Sequence, residues 1–377
     1  MNMVQTGKRG NFNITAVGDC LILRKKSESV FKKVIPYLKN SDIGICQLET
    51  CISERGSLRV GVLTPTRAKS EVVSDFKDAN FNVISFASNN ALDFGYDAFL
   101  DTLNILKAHH IQTIGAGKDI EEARKPAFVS KNGIRVAILA FCSILQYGYD
   151  AGKERPGVNP IKISTFFEPT ENLREQPGTP ARIITFPDRA DAEAMEEVIK
   201  KAKMAADIVI VLFHWGIHFH HAPLAMYQLE LGHRAIDCGA DLIIGSHPHV
   251  LQAIEVYKGR VIFYSLGNFA FDRSDFSPEV FKGLDIYLRA HGMKKEEYFA
   301  KSSKTILIKA KATQKGIKEV VVLPVVANEK WQPEVKRYGL PEGKDILVLL
   351  RELSADFGTK FSYRTNGIKI QLGKKGR

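Results

Sequence analysis

The stretch GADLIIGSHPHVLQAIEVYKGRVIFYSLGNFAFD, residues 239–272, decides how the chain is read. Its run DLIIGS is a short apolar strand that ends on His247-Pro248-His249. Residues just past a strand's C-terminal end line the ligand crevice of an α/β sheet. A His-x-His pair after a turn brings two imidazoles together, and neutral imidazole is a common metal ligand. The continuation LQAIEVYKGRVIFYSLGNF reads as two strands joined by a Lys258-Gly259 turn.

Working outward, the same arrangement recurs. Strand IVIVLF ends at His214, FNITAV at Gly18-Asp19 and NVISFA at Ser88-Asn89-Asn90, while IGIC leads into Gln47-Leu48-Glu49. Five strand ends thus present Asp19, Glu49, Asn89, His214 and His247/His249. Mixed oxygen and imidazole donors suit Mn, Fe, Zn or Mg. A metal-dependent hydrolase needs such a rim, because the ion polarises a substrate oxygen and lowers the pKa of water. Taken singly, Gly-Asp is a capped turn, the Asn pair a turn former, and each His a hydrogen-bonded side chain. Their conjunction in order favours a site. His218, His220 and His221 form a separate HFHH knot, open to loop exposure or substrate contact. His233 falls in a helical pattern and reads as structural, and His109 and His110 end a helix.

Strand-like runs at 12–17, 43–46, 82–87, 111–114, 134–141, 208–213, 242–244 and 261–264 alternate with helix-like stretches near 28–39, 68–79, 96–109, 191–205 and 224–238. This is the alternation of an α/β protein. KTILIKAKATQKGIKEVVVLPV reads as a hairpin. One domain over 12–330 is expected, with a Pro/Gly-rich insertion at about 148–190, a charged helical one at about 271–303, and a C-terminal extension over 331–377.

With 377 residues, 45% hydrophobic and 25% charged, the chain is neither disordered, collagenous nor a disulfide scaffold. No apolar run is long enough for a transmembrane helix, and the polar N-terminus lacks a secretory h-region. The five cysteines (Cys20, Cys46, Cys51, Cys142, Cys238) show no CxxC and suggest free thiols in a reducing cytoplasm. A net charge of +11 favours anionic partners. The basic residues are dispersed, with a cluster at Lys369, Lys374, Lys375 and Arg377, and no pattern of a sequence-specific nucleic-acid binder accompanies them. Gly115-Ala116-Gly117 is weak evidence for phosphate binding; GxGxxG and Walker motifs are missing, and neither Ser246 nor Ser265 sits in a nucleophile elbow.

Residues 239–272, with ITAVGD, QLET, SNNALDFG, IQTIGAG and VLFHWG, resemble the CapA/PgsA (PGA_cap) family of poly-γ-glutamate capsule synthesis proteins over about 12–330. The resemblance implies the four-layer α/β/β/α sandwich of calcineurin-like metallophosphoesterases. It implies Asp19, Glu49, Asn89, His214, His247 and His249 as metal ligands, with Glu49 bridging two ions. His247 and Asn89 would serve one ion and Asp19 and His249 the other, with Asn268 near substrate. Three positions depart from the superfamily pattern. Leu21 replaces the histidine of Asp-x-His, which points to one ion or a weak pair. Asn90 stands where a proton-donating His belongs, and Asn is no general acid. His218 replaces a Glu and could supply the proton. The resemblance implies an N-terminal membrane anchor in family members of capsule synthesis, and from these residues none is expected here.

Three functions follow from the resemblance and these residues. The first is a metal-dependent hydrolase or transferase of one or two divalent ions acting on an anionic γ-glutamyl, peptide or polyglutamate substrate. Asp19, His214, His218 and His249 would be catalytic, Asn90, Asn268, Lys153 and Arg155 substrate-binding. The second is a metal-independent acid/base enzyme, such as a peptide epimerase, on the same scaffold. The third is a non-catalytic polyanion-binding subunit.

Overall fold

The computed structural model describes residues 10–23, 28–169, 175–272, 276–364 and 367–373. Strand Phe12–Leu21 is the axis of the larger sheet. It runs parallel to Ile43–Leu48 and antiparallel to Lys304–Thr313. The order across that sheet is Phe361–Arg364, Gly367–Ile370, Gly316–Ala327, Lys304–Thr313, Phe12–Leu21, Ile43–Leu48, Val83–Ser85, Gln112–Ile114. The short strand Asn268–Phe271 pairs with the end of Phe12–Leu21. In the second sheet the order is Ile254–Tyr257, Arg260–Phe263, Leu242–Ser246, Ile208–His214, Ile134–Cys142, Ala127–Lys131, and its inner four strands are parallel.

Strand Ile208–His214 is buried at every residue, as a parallel strand covered on both faces should be. Ile210 and Leu212 join the core shared with the larger sheet, whereas Val209, Val211 and Phe213 pack with helices Arg189–Ala205 and Met226–Asp237. Helices Val73–Asp78 and Gly95–Ala108 send Phe76, Phe99 and Leu106 into the larger sheet's core. Helix, sheet, sheet, helix is the expected four-layer sandwich.

Some boundaries differ from the periodicity reading. Of 28–39 only Ile35–Leu38 is α-helical, with a Pro at its first turn and a β-branched approach through Val30 and Val34. The insertion at 148–190 contains a β-hairpin, Ile163–Glu168 with Arg182–Pro187, and that at 271–303 folds into helices Pro278–Ala290 and Lys295–Ser302. Within the C-terminal extension read over 331–377, Gly367–Ile370 pairs with Val321 and Val322 of the larger sheet, and helix Pro341–Leu353 buries Ile346, Leu347 and Leu350. The alternation in GIKI is too short to announce a strand alone; pairing and burial of Ile368 and Ile370 supply the rest. Of the basic tail cluster, Lys374, Lys375 and Arg377 lie outside the described residues, as do the first nine residues.

Candidate metal centre

Main-chain geometry places the first carboxylate. The strand Phe12–Leu21 shifts register at Asp19, where the Asp19 N–H donates to the Gly267 carbonyl at 3.0 Å. Gly18 is required there, since a Cβ would lie 2.0 Å from the Gly267 oxygen. Across the cleft, Ile208–His214 and Leu242–Ser246 end on His214 and on the His247–His249 turn. His247 and His249 both adopt left-handed φ values, 95° and 59°. That conformation is costly for residues other than glycine and is held by the surrounding packing. The His247 N–H points at Asp19 Oδ2, 3.3 Å away.

The six expected ligands converge. Oxygen and nitrogen atoms of Asp19, Glu49 and His214 all lie within 4.8 Å of one another. His214 Nδ1 is 3.3 Å from Glu49 Oε1, and His249 Nδ1 is 3.3 Å from Asp19 Oδ2. Asn89 Oδ1 sits 2.7 Å from His214 Nε2 and 3.2 Å from His247 Nδ1. Glu49 Oε2 accepts hydrogen bonds from Ser88 Oγ and Asn90 Nδ2, both at 3.0 Å. Asp19 and Glu49 are fully buried, and among the described residues no Lys or Arg pairs with either. Glu49 Oε1 has no hydrogen-bond donor.

Electrostatics explain the protonation states. Burial, then the neighbouring Asp19 charge, pushes the Glu49 carboxyl well above its usual range. Burial, reinforced by the other histidines, holds His214, His218 and His247 below theirs, so they are neutral. Two uncompensated buried carboxylates facing neutral imidazoles are an expensive arrangement without a cation between them. The donor set therefore fits a divalent ion, with Asp19, Glu49, Asn89, His214, His247 and His249 able to hold it. Leu21, buried beside the cluster, supplies no donor.

The remaining expected residues divide. His218 joins the site: its ring centroid lies 3.8 Å from that of His247, the two rings tilted by 32°, its Nδ1 bonds the Tyr287 hydroxyl, and its Nε2 has no partner. Asn90 lines the cavity but donates to Glu49. Asn268, expected near substrate, instead sits behind His249, its Oδ1 2.8 Å from His249 Nδ1, so it orients that ring. Lys153 and Arg155 do not line the cavity. Arg155 is drawn into an ion pair with Asp150 at 2.9 Å, within its own turn. His233 pairs with Glu255 at 2.8 Å, and His221 Nδ1 is 2.6 Å from the Leu251 carbonyl oxygen. Sequence reasoning missed Ser246, whose hydroxyl is 3.1 Å from His214 Nδ1, and Tyr287, which no motif marks.

Asp93, one turn after Asn90, is buried with one oxygen bonded to the Tyr149 hydroxyl at 2.8 Å and the other unpartnered. Burial raises its pKa to about 7. A raised carboxyl pKa withdraws stability as pH climbs from the unfolded value near ~4 through about 7. Asp93→Asn keeps an acceptor for Tyr149 and removes that charge. Urea unfolding in chelator should find the variant more stable than wild type at pH 8, by on the order of 2 kcal/mol, and equal to it near pH 4. A variant less stable at pH 8 would show that the ionised form is the one the fold needs.

The four-layer sandwich thus brings carboxylates and imidazoles from strand ends of both sheets together in one cleft. The family described as "Bacterial capsule synthesis protein PGA_cap" matches residues 13–273, and the chain belongs to that family. It is 34% identical over 252 residues to the PGA biosynthesis protein CapA of Bacillus subtilis (strain 168), covering 66% of this chain and 58% of that protein. Against the capsule biosynthesis protein CapA of Bacillus anthracis it is 32% identical over 271 residues, 69% and 60% of the two chains. It thus spans about three fifths of the length of these relatives. A solved calcineurin-like phosphoesterase, YfkN from Bacillus subtilis, aligns at 13% identity and a TM-score of 0.40, covering 92% of this chain and 97% of that one. Among the described residues no helix is long and apolar enough to cross a membrane.

Proposed function

We propose that the chain is a metal-dependent hydrolase or transferase acting on a γ-glutamyl or peptide-type amide, in poly-γ-glutamate or capsule chemistry. The observation that carries this is the pair of buried, uncompensated carboxylates, Asp19 and Glu49, set among imidazoles of which His247 and His249 line an open cavity. Mn, Zn, Fe or Mg, as one or two ions, would be held by Asp19, Glu49, Asn89, His214, His247 and His249. Such an ion supplies Lewis acidity, polarising a substrate oxygen and acidifying water.

The chain's own groups do the rest. The Ser246 hydroxyl, 3.1 Å from His214 Nδ1, steadies that ring. Asn268 does the same for His249. Asn90 is an amide and transfers no proton, which argues against ordinary phosphodiester hydrolysis. His218, neutral and held through Nδ1 by Tyr287, leaves Nε2 free to take a proton from the attacking water and then pass it to the leaving amine. The capsule theme comes from the relatives' names. The five cysteines are all free, which supports a reducing, cytoplasmic setting.

Elemental mass spectrometry on protein purified without chelator tests the reading. Wild type should carry about one or two equivalents of a divalent transition metal, and His247→Ala/His249→Ala should carry almost none. A wild type that neither holds nor takes up Mn, Zn or Fe removes the proposal. The second reading, metal-free acid/base chemistry at an α-carbon, draws on the same unpartnered His218 nitrogen. Solvent deuterium entering a peptide without cleavage would favour it.

A further inference from the structure

Above the cluster opens a cavity of about 530 Å³ whose walls are mainly aliphatic and aromatic. Val62 and Leu63 come from one loop, Ile144 and Ile217 from the ends of two strands of the second sheet, and Phe276 and Leu284 from the helical insertion. The roof is built by close backbone contact. A Cβ on Gly283 would lie 1.9 Å from the Leu63 carbonyl oxygen, so only glycine lets the helix Pro278–Ala290 seat on that loop. From below, the helix is fixed by a satellite core of Phe219, Leu284, Leu288, Met293 and Tyr298. Among the described lining residues none is Lys or Arg.

These walls are ill suited to a run of carboxylates, whose desolvation there would go uncompensated beyond the cluster itself. An apolar group entering the same space gains the free energy of leaving water. We propose that the cavity is a side-chain subsite: the substrate offers its reacting amide to the cluster and an uncharged aliphatic or aromatic group to the space between Leu63 and Leu284. This rests on the function proposed above and narrows its substrate to a peptide-type amide with an apolar residue at the reacting bond, any acidic residues lying outside.

Two small probes differing in one side chain test it, N-acetyl-L-phenylalaninamide and the matching amide of N-acetyl-L-glutamate, titrated into the full chain by ligand-observed NMR. The phenylalanine probe should bind about tenfold more tightly or better. Leu63→Asp and Leu284→Asn should each weaken it about tenfold while leaving metal content per chain unchanged. Leu63 is 46% exposed, so its variant should fold whether or not Leu284→Asn does. Equal or tighter binding of the glutamate probe overturns the proposal, as does an unchanged affinity in Leu63→Asp. Failure of the metal reading looks different: wild type would be metal-free yet would still prefer the phenylalanine probe, with the same dependence on the walls.

Discussion

Glu49→Gln should empty the metal centre and, in the same protein, raise the stability of the metal-free fold. Glu49 is fully buried, its carboxyl is pushed up by burial and by Asp19, and its Oε1 has no donor. Glutamine keeps an oxygen for the Ser88 hydroxyl and the Asn90 amide and carries no charge. The sign follows from linkage. With the folded pKa raised, ionisation opposes folding, so stability is lost as pH rises above the unfolded value of ~4.3. The gain in Glu49→Gln should thus be absent below about pH 4 and grow as pH rises to neutral in chelator. Metal affinity should fall by about 100-fold or more, because the carboxylate central to the ligand set is gone. Calorimetric titration with Mn or Zn and urea melts with and without chelator give both numbers. A variant that keeps stoichiometric metal, or whose metal-free form is weaker than wild type at pH 7, refutes this account of Glu49.

The second large effect falls on His218. His218→Gln should lower kcat/KM on the processed amide by about 10²- to 10³-fold with metal content intact, because it removes a proton-transferring group and leaves the ligands in place. Tyr287→Phe is the informative companion. It deletes only the hydroxyl on His218 Nδ1, so it should cost about tenfold or less and shift the pH profile of kcat. If His218→Gln instead strips the metal, the residue is a ligand and the proton must come from elsewhere.

Much of this was legible in the sequence because it is written at strand ends. Apolar runs that stop on Asp19, His214 and the His247–His249 pair announce both a covered parallel strand and the residue that leaves it. What stayed hidden depends on contacts between segments far apart in the chain. Asn268 was expected to meet substrate but turns to His249, a partnership set by its strand pairing beside Asp19. Lys153 and Arg155 looked available because charge is visible in sequence, whereas the local Asp150 that captures Arg155 is visible only once the turn closes. Tyr287 and the apolar roof belong to an insertion whose residues follow ordinary helical patterning, so nothing local ties them to the cluster. The C-terminal strands escaped notice for the same reason: GIKI becomes a strand only by lying against Val321 and Val322.

Trp215, next in sequence to His214, is wholly buried, stacked 4.3 Å from the Phe213 ring, with its indole N–H donating to the Tyr264 carbonyl at 2.8 Å. The chain has only one other tryptophan, Trp331, packed against Phe299. The protein therefore carries its own optical gauge beside the ligands. Trp215 should emit at short wavelength, and a paramagnetic Mn or Fe ion seated a few side chains away should dim that emission where diamagnetic Zn or Mg leaves it bright. With Trp331→Phe as background, occupancy and the magnetic character of the ion become readable from one fluorescence titration.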